Sequence, residues 1–246
     1  MIFLRVYHVV FYFLSLLLFA LFGLTLNLFS VIAGWCFRDE RGMQRLIHRH
    51  FALFVWWMRV MRLVDVQYRG FERITSGGQL VVANHPGLMD ITFILARVRE
   101  AVCVFKPAIR RNPVLGAAAG YAGYLGADRG PDLMRMICDK VRAGHTVVLF
   151  PEGTRTPPGE TLGVLRPGFA LVARRKGVPV QLVRITANPP VLAKGWAWWQ
   201  VPRFPIRVEV AAGPRVLVPE EVEVIEAAAR VERWFRTGEG PDLPLA

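Results

Sequence analysis

Hydrophobic and polar positions alternate differently in three parts of the chain. From Val6 to Phe37, 32 residues run without Asp, Glu, Lys or Arg, between Arg5 and the group Arg38-Asp39-Glu40-Arg41. As one straight helix this run would measure about 48 Å against a hydrocarbon core of about 30 Å. It must therefore tilt, bend or lie partly in one leaflet, and Gly23, Thr25 and Asn27 mark the expected bend. The rival is a cleaved signal peptide ending near Val31-Ile32-Ala33. The run is longer than the about 7–15 apolar residues such a leader uses, so a retained segment is the reading adopted.

Between Arg41 and Leu63 the apolar positions Leu46, Phe51, Phe54, Val55, Met58 and Met61 recur at helical spacing, with Arg41, Arg45, Arg49, Arg59 and Arg62 on other faces. This predicts an amphipathic helix at a membrane interface, with Trp56 and Trp57 at headgroup level or packed on the globular part. From Val64 onward short β-branched runs alternate with helical ones. Strands are predicted at Val64–Tyr68, Gln79–Ala83, Ala101–Phe105, Thr146–Phe150, Val180–Ile185 and Ile206–Ala211, and helices at Leu88–Arg99, Pro113–Ala122, Leu133–Ala143, Gly168–Lys176 and Glu220–Phe235, the last ending at Gly238. The expected fold is α/β, a largely parallel central sheet flanked by helices. Residues 1–63 are expected to form a two-helix membrane anchor and residues 64–246 the α/β domain.

Composition sharpens this picture. A hydrophobic content of 53% with 31 Lys and Arg against 19 Asp and Glu, a formal charge of +12, fits a membrane surface and anionic ligands. No zinc spacing, aromatic RNA-reading signature or long basic block accompanies that charge, so nucleic acid is not the expected partner. The three cysteines, Cys36, Cys103 and Cys138, are odd in number and far apart, and neither a disulfide framework nor a metal site is expected.

In parallel α/β folds function collects on loops at the carboxyl ends of strands. Two such loops carry chemistry. Asn84-His85-Pro86-Gly87-Leu88-Met89-Asp90 sets an imidazole and a carboxylate five positions apart after a strand. Histidine is mostly neutral near pH 7 and can accept a proton, while a carboxylate can fix its tautomer. Alone, this spacing is also that of a strand end followed by an acidic residue in a first helical turn. Phe150-Pro151-Glu152-Gly153-Thr154-Arg155 makes a turn whose N–H groups, hydroxyl and guanidinium suit a phosphate.

Taken in order, Asn84-His85-x4-Asp90, Gly123-x-Leu125-x3-Arg129, Phe150-Pro151-Glu152-Gly153-Thr154-Arg155 and Val178-Pro179-Val180 resemble the four blocks of the glycerolipid and lysophospholipid acyltransferase family, which includes 1-acylglycerol-3-phosphate acyltransferases. The resemblance implies His85 as general base toward an acceptor hydroxyl and Asp90 as its orienting partner. It implies Lys106, Arg129, Glu152, Gly153, Thr154 and Arg155 as residues that hold the acceptor phosphate, with Glu152 bracing Arg129 or Arg155 rather than touching phosphate. The oxyanion formed on attack would call for donors such as N–H groups near Gly153. No cofactor is implied. The co-substrate is an acyl-CoA or acyl carrier protein thioester, and the partners are membrane lipid and a lysophospholipid acceptor.

Gly87, Leu125 and the single Pro179 depart from the family pattern, where Ser, Ile and a second Pro are common. These changes spare every titrating group but loosen the identity of the acceptor, which could be another lysolipid, an aminolipid or a specialised lipid. A silent lipid-binding protein is the reading of a different class. The arginines after the apolar run, Arg38, Arg41, Arg45, Arg49, Arg59 and Arg62, set that side at the cytoplasmic face of the inner membrane. The Trp-rich stretch 189–199 could dip into the interface or line the acyl path, and is assigned no site.

Overall fold

The computed structural model describes residues 2–36, 39–74, 77–190 and 192–246. Phe37 and Arg38, counted above at the end of the apolar run, and Val191 in the Trp-rich stretch lie outside the described residues. Seven strands among the described residues form one sheet: β1 Val64–Arg69, β2 Gln79–Ala83, β3 Ala101–Phe105, β4 Leu125–Gly126, β5 Thr146–Leu149, β6 Val180–Asn188 and β7 Ile206–Val216, in the order β1-β7-β6-β2-β5-β3-β4. Every pairing is parallel except β6 with β7.

The central strand β2, Gln-Leu-Val-Val-Ala, is buried at all five positions, as expected where helices cover both faces of a parallel sheet. Its alternate residues feed two cores. Val81 and Ala83 face the layer that holds Phe93 and Ile94 of α3 (Asp90–Leu95), while Leu80 and Val82 face Ile137 of α5 (Pro131–Arg142), Phe169 of α6 (Gly168–Lys176) and Val231 of α7 (Val224–Thr237). The last helix is capped by Gly238 in the left-handed region, where the sequence ends it.

Several elements differ from expectation: β6 and β7 run on to Asn188 and Val216, and helices expected from Pro113 and Glu220 begin at Gly116 and Val224. The helix expected over Leu88–Arg99 shrinks to Asp90–Leu95 because Gly87 to Met89 form a turn whose Gly87 N–H is claimed by the Asp90 carboxylate. The strand expected to reach Phe150 stops at Leu149, since Phe150 turns its ring onto His85. The two-residue β4 was not expected, being too short to carry a periodic signal. Between it and β3 lie a 3₁₀ turn, Pro107–Arg111, and α4 (Gly116–Tyr121).

The N-terminal helices are α1, Ile2–Cys36, and α2, Glu40–Val60. No break interrupts α1 at Gly23, and the residues expected to mark a bend are docking points. A Cβ at Gly23 would meet Val114 Cγ1 at 2.1 Å, while Asn27 donates to Pro113 O at 2.8 Å and accepts from Ala118 N at 2.9 Å. The apolar stripe of α2 is occupied by protein. Phe51, Phe54, Val55 and Met58 share one cluster with Val66, Phe93 and Val208. Trp57 is half-buried and donates Nε1–H to Ser15 Oγ at 3.0 Å, whereas Trp56 is exposed. Polar contacts also fix α2: buried Gln44 donates to Ala122 O at 2.9 Å, and on the outer side Arg45 pairs with Glu100 at 2.8 Å.

Candidate active site

The loop after β2 begins on a fixed base. Asn84 is buried and its amide acts as an extra strand residue, donating to Ile185 O at 2.8 Å and accepting from Ile185 N at 2.7 Å. His85 follows with both backbone polar groups held by the loop after β5. Its N–H donates to Glu152 Oε1 at 2.8 Å, and its carbonyl accepts from Thr156 N at 2.8 Å. The imidazole stacks on Phe150, with centroids 4.2 Å apart and planes at 18°.

His85 Nδ1 lies 2.9 Å from Asp90 Oδ2, and the same oxygen accepts Gly87 N–H at 2.7 Å. An ionised carboxylate only accepts, so the proton of a neutral His85 resides on Nδ1 and the Nε2 lone pair is left to take a proton. Asp90 is buried while the imidazole retains 17% exposure, so the pair is braced from inside and reachable from outside. Burial pushes the Asp90 carboxyl above its ordinary range, the His85 contact and the Gly87 N–H pull it back, and nearby Glu152 adds repulsion.

Glu152 differs from expectation. Instead of bracing an arginine, its buried carboxylate accepts His85 N–H on Oε1 and, on Oε2, Thr156 Oγ1–H at 2.9 Å and Gly163 N–H at 2.8 Å. It ties the base-bearing loop to the phosphate-type turn. Gly153, exposed at the tip of that turn with φ +65°, donates its N–H to Phe150 O at 3.0 Å, so that group is spent and is no oxyanion donor. Thr154 is half-buried beside it. Arg155 reaches away, donating from Nη1 to Leu192 O at 2.6 Å and Ala193 O at 3.1 Å, and so pins the Trp-rich loop.

Lys106 and Arg129 leave the carboxyl ends of β3 and β4, which are in register at Phe105↔Gly126 with Ala127 N–H on Phe105 O at 2.9 Å. Both side chains are exposed and make no hydrogen bond or ion pair among the described residues. Because β5 sits between β2 and β3, the Glu152 turn stands between His85 and these two cations on one edge of the sheet. Sequence reasoning missed two more cations there. The Arg166 guanidinium lies 3.1 Å from where a Gly153 Cβ would be, and Arg110 stands over the Phe105 ring at 5.9 Å. Neither carried a signal: Arg166 precedes Pro-Gly in an irregular loop, and Arg110 sits in a short basic 3₁₀ turn. The thiol of Cys103 is pushed up to about 12 by burial and cannot serve as a nucleophile.

An imidazole braced on a buried carboxylate and a row of exposed cations thus share one edge of the sheet. Residues 65–186 match the family model described as Acyltransferase, and the chain belongs to that family; it is an acyltransferase. Over 203 residues it is 24% identical to the 1-acyl-sn-glycerol-3-phosphate acyltransferase of Pseudomonas aeruginosa, covering 79% of this chain and 77% of that one. It is 26% identical to the chloroplastic 1-acyl-sn-glycerol-3-phosphate acyltransferase BAT2 of Brassica napus, over 59% of this chain and 44% of the longer relative. The fold superposes on the crystal structure of the 1-acyl-sn-glycerophosphate acyltransferase PlsC of Thermotoga maritima with TM-score 0.72 and 25% identity, covering 96% of this chain and 93% of that chain.

Proposed function

We propose that the enzyme acylates the free hydroxyl of 1-acylglycerol-3-phosphate, giving phosphatidate, with an acyl-CoA or acyl carrier protein thioester as donor. The observation that carries this reading is the His85–Asp90 pair, buried on the aspartate side and open on the histidine side. His85 Nε2 removes the hydroxyl proton as the oxygen attacks the thioester carbonyl. Collapse of the tetrahedral adduct breaks the C–S bond, and the proton passes from imidazolium to the leaving thiolate. Asp90 holds the tautomer and stabilises the transient imidazolium, an arrangement that typically contributes about 10²–10⁴-fold. Lys106, Arg129 and Arg166 meet the phosphate, and Arg155 holds the loop after β6 beside the site.

Helix α1 is long and apolar enough to cross a membrane. Its contacts favour another placement. Tyr12 donates to Trp198 O and Asn27 to Pro113 O, so about 22 Å of helix lies along the α/β domain. The opposite side exposes Val6, Val10, Leu17, Leu21, Leu24 and Leu28. We therefore read α1 as lying in one leaflet at the cytoplasmic face, where the acyl donors are, with the domain partly sunk beside it.

The test is a panel of donors and acceptors assayed with purified membranes, wild type against His85→Ala. Preferred acylation of 1-acylglycerol-3-phosphate that is lost in the variant is expected. Preference for a neutral lysolipid or an aminolipid would overturn the acceptor, and lipid binding without turnover of any donor would overturn the reaction.

A further inference from the structure

Beside the acyltransferase site, the loop between β6 and β7 forms an open cleft of about 490 Å³, lined by Asn188, Trp196, Val201, Arg203, Phe204 and Arg207 among others. Both sites open at the carboxyl end of the sheet but on opposite sides of β2. The cations Lys106 and Arg129 follow β3 and β4 on one side of His85, this cleft follows β6 on the other, and Arg155 reaches across to the loop that forms it.

Its charge is unanswered. Neither Arg203 nor Arg207 makes a hydrogen bond or ion pair among the described residues, although arginines elsewhere, such as Arg230 and Arg236 on α7, are paired with carboxylates. His8 of α1 packs its ring on Phe204 at 5.2 Å. The other neighbour is apolar. Tyr12 packs on Phe204 at 5.7 Å and donates to Trp198 O at 3.3 Å, while the first turns of α1 expose Phe3, Val6 and Val10, and Trp198 and Trp199 are each 62% exposed. Two arginines in a cleft that Trp196 and Phe204 also line, bordered by indoles and an apolar helix face, match an anion that carries hydrocarbon chains.

We propose that this cleft binds the headgroup phosphate of an anionic phospholipid, held between Arg203 and Arg207 with its acyl chains along α1, and serves as a docking site separate from turnover. Bidentate guanidinium contacts select the phosphate, and the flanking indoles set its depth. A zwitterionic lipid brings its own cation into the arginine pair and is rejected.

The experiment places the full-length enzyme in neutral-detergent micelles doped with phosphatidylglycerol or phosphatidylcholine brominated high on the chain, and reads quenching of tryptophan emission. Phosphatidylglycerol should quench in excess of phosphatidylcholine. Trp196→Phe should reduce that excess, and Arg203→Gln with Arg207→Gln should weaken the apparent affinity about tenfold. Circular dichroism and acyl transfer in phosphatidylcholine micelles should match wild type in the double variant, which separates loss of this site from loss of the catalytic reading. Equal quenching by the two lipids, or an undiminished excess in the double variant, overturns the proposal. Displacement by inorganic phosphate alone would make it a free-phosphate site, and displacement by coenzyme A would give the cleft to the donor nucleotide; either result overturns it too.

Discussion

Asp90 Oδ2 receives two contacts at once, His85 Nδ1 at 2.9 Å and Gly87 N–H at 2.7 Å. One oxygen therefore does the orienting, and Asn at this position could present its carbonyl oxygen to both donors. What Asn cannot supply is the negative charge that stabilises the imidazolium formed during reaction. Asp90→Asn should fold and lose about 10²–10⁴-fold in kcat, measured at saturating donor. Stability should move the other way. The Asp90 carboxyl is pushed upward from 3.8 by burial, so ionisation costs the folded state, and the penalty grows as pH rises through the folded value. The variant should equal or exceed wild type in Tm at pH 7, with the difference vanishing as pH falls below 3.8.

Glu152 is the joint between the two loops of the site. Glu152→Gln leaves one of its oxygens replaced by NH₂, which faces a donor, either His85 N–H or the pair Thr156 Oγ1–H and Gly163 N–H. A buried donor without a partner costs about 1–3 kcal/mol. Urea unfolding should show a loss of that size, and kcat should fall with it because the His85 backbone loses its anchor.

The cations separate into two groups. Lys106→Ala and Arg129→Ala should each raise KM for the phosphorylated acceptor about tenfold with kcat little changed, which is the signature of lost ground-state binding. Arg155→Ala releases the carbonyls of Leu192 and Ala193 and should increase proteolysis within residues 189–200 as well. Unaltered preference for phosphorylated over neutral acceptors in both single variants would contradict the phosphate assignment.

Gly23 permits the closest approach of α1 to the domain. In Gly23→Leu the side chain would enter space held by Val114 Cγ1 and Val114 O, so the helix must lift and strand the Asn27 contacts. Tm in detergent should drop by several degrees, as for a destabilisation of about 1–3 kcal/mol. An unchanged Tm would mean that α1 does not rest on the domain.

Much of this architecture was legible because its signals are local. Gln79–Ala83 is a glutamine followed by four apolar residues, and the strand reproduces its boundaries, while Gly168–Lys176 ends before a glycine that takes the left-handed conformation. The His85 and Asp90 spacing was readable as a pair, though only their order with the Glu152 turn raised it above a strand end. The role of Glu152 was not readable, since it depends on Thr156 and Gly163, which the fold brings to the carboxylate from separate points of an irregular loop. The docking role of Gly23 and Asn27 was hidden for a related reason: composition registers small and polar residues in an apolar helix but not the surface they meet. Arg166 was invisible because a lone arginine before Pro-Gly gains meaning only from its approach to Gly153.

The central claim is that His85 takes the proton of the acceptor hydroxyl. Its direct test is the single-turnover rate of acyl transfer by His85→Ala at saturating donor and acceptor, in protein whose circular dichroism matches wild type. Loss of at least about 10³-fold with acceptor binding retained is the predicted result. A rate within tenfold of wild type would contradict the account.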